Sequence, residues 1–297
     1  MHDARWDSDA SRWNEQRFFG ISRAMNSGGG GRTMDLAEIA QLAEARQARS
    51  VAVLADEAEP IAGGIMCFAG VGSWANQAMG LGMNGPVEPA EIDRLVRFYE
   101  SRGVEPKIEL CPFAHETLVR GLAERSFVLR EFENVLALDL RSVPPLPEMP
   151  RGIEIVPLDP ADERLADSYI TIMLEGVAPA DPQQLTRSLR RMFNAPGYHG
   201  FLAMIDGEVA ATGTCHIDGP SAALVGVATL DRFRRRGCQQ AMMIHRLRLA
   251  MDAGCRYAFV HSNPLIATGR NAMRLGFQIA FTKSILARPG PGLAPSP

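Results

Sequence analysis

The sequence predicts an α/β fold built twice in tandem, each half a mixed, mostly antiparallel sheet flanked by helices. Three observations lead there. Both halves follow one order of helix, antiparallel strands, helix, strand, helix and strand, the pattern of a sheet with helices on its faces. Asp56 and Asp206, Gly103 and Gly254, and Phe127 and Phe277 stand 150, 151 and 150 residues apart. A period of that length marks a duplicated domain, since solenoid units are far shorter. Finally, residues 144–150 hold four prolines in seven. Neither a helix nor a central strand accepts that density, so the segment reads as a stiff, extended linker.

These signals divide the chain into an N-terminal extension over 1–33, a first domain over 34–142, the linker over 143–151, a second domain over 152–288 and a tail over 289–297. The extension ends in the flexible run Asn26-Ser27-Gly28-Gly29-Gly30-Gly31. Its Trp6, Trp13, Phe18 and Phe19 suit an arm packed on a surface or, alternatively, a partner-binding segment. The tail has four prolines and is expected to fray.

Element by element, Val51 to Ala55 reads as a strand, Asp56 to Glu59 as a turn and Ile61 to Phe68 as the returning strand. In the second half, Phe201 to Ile205, the turn Asp206-Gly207 and Glu208 to Ile217 read as the matching hairpin. Short apolar strands follow at Ala78 to Met83 and Ala222 to Leu230. Next come helices, with Ile92, Leu95, Val96 and Tyr99 on one face of the first and Ile244, Leu247 and Met251 on one face of the second. Gly103 and Gly254 stop them, because glycine accepts the left-handed conformation past a helix end. Strands at Lys107 to Leu110 and Tyr257 to Val260 follow, then short helices leading to Phe127 and Phe277.

Composition narrows the function. With 297 residues, 46% hydrophobic and 22% charged, the bulk is globular and two domains are the natural count. Thirty-one basic against 34 acidic residues, a net charge of −3, argue against nucleic acid as the main partner. No apolar run of about 18 residues predicts a membrane span, and Met1 to Arg17 is too polar for a secretory signal. Five scattered cysteines without a CxxC pair suggest reduced thiols and a cytoplasmic protein. No Cys/His cluster has ligand spacing, so no metal is expected.

The chemistry concentrates in Ala222 to Ala241, which reads as strand, tight basic loop and helix. The first amides of a helix lack internal partners and sit at the positive end of its dipole. Such a terminus binds phosphate, above all where glycine lets the backbone approach. Arg234, Arg235 and Arg236 add charge-assisted donors. A solvated basic turn is the plain alternative, which the placement between an apolar strand and a helix makes the weaker reading.

Arg234-x-x-Gly237-x-Gln239 resembles the (Q/R)-x-x-G-x-(G/A) loop of the GCN5-related N-acetyltransferase (GNAT) superfamily, with glutamine at the last position. Arg274-Leu275-Gly276-Phe277 is similar to that superfamily's R-L-G-F ending. The resemblance covers 152–287 well and 35–140 in outline. It implies two tandem GNAT-like acyl-CoA N-acyltransferase domains, with acetyl-CoA as co-substrate and a small-molecule or peptide amine as acceptor. It further implies two splayed parallel strands, ending at Thr229 and Val260, with the co-substrate in the opening. Val227, Ala228 and Thr229 would hold the pantetheine and the thioester carbonyl. Arg234, Arg235, Arg236, Gly237, Cys238, Gln239 and Gln240 would wrap the pyrophosphate, and Asn271 would contact the co-substrate. The family's usual tyrosine acid is replaced by Ala272. Glu175, after the first helix of the second half, is the base candidate that the resemblance favours. His216 and His261 are further candidates that read more naturally as structural histidines. Cys238, at a helix start, is expected to have a lowered pKa.

At the matching place the first half reads Gly80 to Glu91, with no arginine, with Pro86 and Pro89 removing donors and with Glu88 and Glu91 repelling a pyrophosphate. It reads as a degenerate copy. The resulting expectation is an acetyltransferase active in its second half only, against two rivals: a non-catalytic acyl-CoA-binding or regulatory module, and a protein-interaction scaffold.

Overall fold

The computed structural model describes residues 35–179 and 181–296. The extension, with its aromatic residues, lies outside them. From Leu36 onward the chain is one compact unit. The first half contains α1 (Leu36–Leu54), β1 (Glu57–Ile61), β2 (Gly64–Phe68), β3 (Gln77–Met79), α2 (Pro89–Glu100), β4 (Lys107–Leu110), α3 (Glu116–Glu124) and β5 (Val128–Asp139). The second contains β6 (Glu154–Pro157), α4 (Glu163–Val177), α5 (Pro182–Asn194), β7 (Tyr198–Ile205), β8 (Glu208–Asp218), β9 (Ser221–Thr229), α6 (Cys238–Asp252), β10 (Tyr257–Ser262), α7 (Ala267–Arg274) and β11 (Gln278–Ala287).

The two expected sheets are joined. Eleven strands form one sheet in the order β1-β2-β3-β4-β11-β5-β10-β9-β8-β7-β6. The halves exchange their last strands: β11 pairs antiparallel with β4 of the first half, and β5 pairs antiparallel with β10 of the second. Between them β5 and β11 pair with each other, with Val128 opposite Ala287 and Ala137 opposite Gln278. Adding 150 to a β5 number and subtracting 150 from its β11 partner gives another pair of the same ladder, so the duplication is written into the register. The exchange carries side chains with it: Leu136 and Leu138 of β5 enter the second-half core, and Leu286 packs on the first-half core.

The exchange also buries charge. Lys283 of β11 is fully buried, with its ammonium 2.8 Å from Glu44 of α1 and 2.8 Å from Glu109 of β4. Gln47 accepts a further hydrogen bond from it. Burial alone would lower this lysine's pKa, but Glu109, Glu44 and Glu133 outweigh burial and raise it.

Three expectations are corrected. Val51 to Leu54 is the last turn of α1, whose buried positions include Ile39, Ala43, Arg46, Ser50 and Leu54 at close to helical spacing. A short apolar run does not distinguish strand from helix by itself. The first-half hairpin therefore turns at Ala62-Gly63, both at positive φ (46° and 79°), and Asp56 is no counterpart of Asp206. The tail is docked rather than frayed: Ala294 exchanges hydrogen bonds with Gly103 and Glu105 at 2.8 and 2.9 Å. The proline linker packs on the second half, with Val143, Leu146 and Met149 against its core.

Candidate active site

The parallel ladder of β9 and β10 runs only from Ser221–Tyr257 to Ala223–Phe259, although both strands continue. Beyond Ala223 they part. A bulge sets the divergence on the β9 side, where the register with β8 shifts between Thr212 and Thr214 and Gly226 takes φ +61°. Two buried side chains pin it. The Tyr169 hydroxyl donates to the Gly226 carbonyl at 2.9 Å, and Arg246 donates to the carbonyls of Thr214 and Val225 at 2.9 and 3.2 Å. A backbone irregularity held this firmly persists because its surroundings determine it.

At the end of β9 the chain enters the basic loop. Arg235 (φ +63°) and Gly237 (φ +90°) both adopt left-handed backbone, the conformation used in anion-binding nests. Gly237 is the N-cap of α6 and provides no side-chain cap; the Ala241 amide bonds back to its carbonyl at 2.9 Å. A Cβ on Gly237 would also stand 3.1 Å from Pro150 of the linker. The residue type is thus required by both φ and the close approach.

A cleft of about 690 Å³ opens here. It is lined by Val227, Ala228, Thr229, Arg234, Arg235, Gly237, Cys238, Gln239, Gln240 and Asn271 among others. Arg236 stands apart from this lining: it pairs with Asp206 at 3.4 Å and lies over the Phe233 ring. Gln239, the departure from the family pattern, bonds Asn271 and donates to Thr268 at 3.3 Å, tying the start of α6 to α7. Cys238 differs from expectation. Burial raises its pKa, outweighing its own backbone amide and Arg236, and its Sγ lies 3.9 Å from the Phe233 carbonyl. The thiol is therefore poorly suited to carry an acyl group.

Glu175 lies in the last turn of α4 rather than after it. It is exposed in a separate recess of about 420 Å³ with Glu208 and Arg232. His216 stacks on Tyr198 and is buried; burial first, then Arg46, push it down to about 4.

His216 therefore gives a testable pH signature. Its folded pKa is below the ordinary 6.5, so the unfolded chain binds the extra proton first as pH falls. Its contribution is present above pH 6.5 and lost toward pH 4, by roughly 3 kcal/mol at most at 1.36 kcal/mol per unit. His216→Phe, which keeps the stack, should flatten the fall in unfolding free energy between pH 6.5 and 4. A parallel fall in both proteins would remove His216 as the cause.

A second cavity of about 460 Å³ adjoins along β9, where Val225 and Gly226 contribute to its wall. The exchange of strands builds it from both halves. Arg46 and Gln47 of α1, Glu131 and Glu133 of β5, His261 of β10 and an apolar wall of α4 and α5 face it. His261 Nδ1 lies 3.0 Å from a Glu133 carboxylate oxygen, while its buried Nε2 has no hydrogen-bond partner among the described residues. A carboxylate partner places the ring proton on Nδ1 and leaves the Nε2 lone pair free. Burial alone would raise the Glu133 pKa, but His261, Lys283 and Lys107 together hold it below the ordinary carboxylate value. Sequence reasoning missed Glu133 and Arg46. Neither belongs to the second half, and only the folded topology brings them there.

Residues 164–277 match the model of the acetyltransferase (GNAT) family. The fold over most of the chain is a tandem GNAT fold. A GCN5-related N-acetyltransferase from Kribbella flavida superposes with a TM-score of 0.64 at 18% identity, over 89% of this chain and 99% of its own. A tandem GNAT protein from the clavulanic acid biosynthesis pathway gives 0.57 at 13% identity, over 93% and 95%. A GNAT-family putative acetyltransferase from Novosphingobium aromaticivorans gives 0.51 at 16% identity, over 84% and 94%. No curated protein sequence matches the chain. Family and fold together support acyl transfer. Among the described residues no helix is long and apolar enough to cross a membrane.

Proposed function

We propose that the protein transfers the acetyl group of acetyl-CoA to the amine of a small molecule by direct attack, using its second half to hold the co-substrate. The supporting observation is the parting of β9 from β10 directly beside the left-handed Arg235 and Gly237. The residues fit the group: helix-start amides and guanidinium groups suit a pyrophosphate, and the β9 edge beyond Ala223 offers backbone groups without a strand partner. Acetyl-CoA supplies an activated acyl thioester.

The chain's own residues supply the rest. Amides along Val227 to Thr229 offer donors for the carbonyl oxygen as negative charge develops there. The acceptor enters the second cavity as a cation and must lose a proton before its nitrogen can attack. His261 Nε2 accepts that proton, and Glu133 stabilises the resulting imidazolium. The N–C bond forms as the C–S bond breaks. The sulfur leaves as a thiolate, which needs no dedicated acid at a thiol pKa of about 8.5. This agrees with the fully buried Ala272 at the position of the usual tyrosine. Tyr99, Tyr169 and Tyr257 are buried, and Tyr198 is committed to the Ser50 carbonyl at 3.0 Å.

The test is thiol release from acetyl-CoA across a panel of amines, with the product identified by mass. The proposal requires one thiol per N-acetylated amine. Binding of acetyl-CoA without turnover of any amine would favour the regulatory module, and no binding would favour the scaffold.

A further inference from the structure

The second cavity holds a group that the transfer of an acetyl unit does not need. Arg46 is 2% exposed and lines this cavity, yet its Nε and Nη1 have no hydrogen-bond partner among the described residues. Burial lowers its pKa to about 10, which leaves it charged at neutral pH. No carboxylate among the described residues forms an ion pair with it. Asp218 is taken by Arg49 at 2.7 Å and Glu44 by Lys283 at 2.8 Å. A buried guanidinium with idle donors is costly unless an anion reaches it.

The position of Arg46 relative to His261 is informative. Its guanidinium lies over the Phe259 ring, 5.8 Å from the centroid. Phe259 and His261 are two residues apart on β10, so they share a face and stand about 7 Å apart along the strand. The cavity is thus lined by a ring nitrogen without a partner and by a guanidinium that packs over the residue one strand repeat away on the same face of β10. Leu185, Leu189 and Met192 of α5, with Met173 and Val177 of α4, add an apolar wall.

We infer that the acceptor is an amino acid or a close analogue: an amine and a carboxylate separated by one or two carbons, carrying an apolar side chain, with the carboxylate on Arg46. This rests on the acetyl-transfer reading for the amine end, whereas the carboxylate end stands on Arg46 and the cavity alone. A guanidinium matches a carboxylate with paired donors, which lysine does not. The first half therefore supplies substrate recognition through α1.

Two readouts separate the inference from the reading beneath it. The first is calorimetry of the full-length protein, saturated with coenzyme A, against L-leucine and against 3-methylbutylamine, the same molecule without its carboxylate. L-leucine should bind at least about thirtyfold more tightly, the scale for removing one partner of a buried charge pair. In Arg46→Met that preference should fall to within about threefold, and Arg46→Lys should recover only part of it. Equal binding of the two amines by the wild type, a comparison that needs no variant to fold, would overturn the inference. So would an undiminished preference in a folded Arg46→Met protein. The second readout is thiol release from acetyl-CoA. Equal turnover of both amines would keep acetyl transfer and overturn the carboxylate site. Arg46-dependent binding of L-leucine without thiol release would support that site and overturn the transfer.

Discussion

Replacing His261 by glutamine should lower kcat by about a hundredfold or more while leaving the binding of acetyl-CoA unchanged. Positioned general bases contribute roughly 10²–10⁴-fold. His261 lies beyond the point where the β9–β10 ladder ends, with Nδ1 committed to Glu133 and Nε2 unengaged. Glutamine keeps polarity and approximate size but is no base at neutral pH. Since an amine must be deprotonated to attack, the wild-type rate should rise with pH, and the His261→Gln rate should rise in a more alkaline range. Glu133→Gln should lower kcat by less, because it removes the stabilising charge and leaves the imidazole. Glu175→Gln is the control: its side chain is in another recess, beside Arg232 and Glu208. A kcat unchanged in His261→Gln and reduced a hundredfold in Glu175→Gln would return the role to Glu175.

Lys283→Met should destabilise the fold by about 3–5 kcal/mol, the range for removing one partner of a buried ion pair. The fully buried ammonium lies between Glu44 of α1 and Glu109 of β4. Without it two carboxylates remain buried where β11 crosses into the first half. The loss should register in denaturant melts as a lower midpoint with an unchanged slope, since the surface exposed on unfolding is the same. Adding Glu44→Gln and Glu109→Gln to Lys283→Met should restore part of the stability, because neutral groups cost far less to bury. A single Lys283→Met variant as stable as the wild type would show that the triad contributes nothing net.

What the sequence made legible was local. The glycine stops at Gly103 and Gly254 both adopt left-handed backbone, at φ 71° and 75°, as their places after apolar helix faces required. The basic loop was legible because strand, glycine and helix follow one another within 20 residues. The Val51 to Ala55 segment was misread because an alanine-rich helix ending in Val-Ala-Val-Leu looks like a strand over five residues. The strand exchange left no local trace. The last strand of each half was expected only from the common order of elements, and nothing in residues 128–139 tells which neighbour that strand will pair with. Glu133 and Arg46 went unrecognised for that reason: their chemistry depends on partners 128 and more than 150 residues away.

Calorimetry of acetyl-CoA on the full chain asks whether the second half alone holds the co-substrate. At the start of α2 the amides of Val87 and Glu91 are already used, donating to Thr117 Oγ1 at 2.8 Å and to the Glu88 carbonyl at 3.0 Å. Glu91 accepts from the amides of Ala62 and Glu88 at 2.9 and 3.3 Å, and Glu88 completes a capping box. One site per chain is expected. The site should be lost when Arg234 and Arg235 are changed together to glutamate, and Glu88→Ala with Glu91→Ala should add no second site. Two equivalent sites in the wild type, or undiminished binding by the doubly charge-reversed loop, would contradict a single site in the second half.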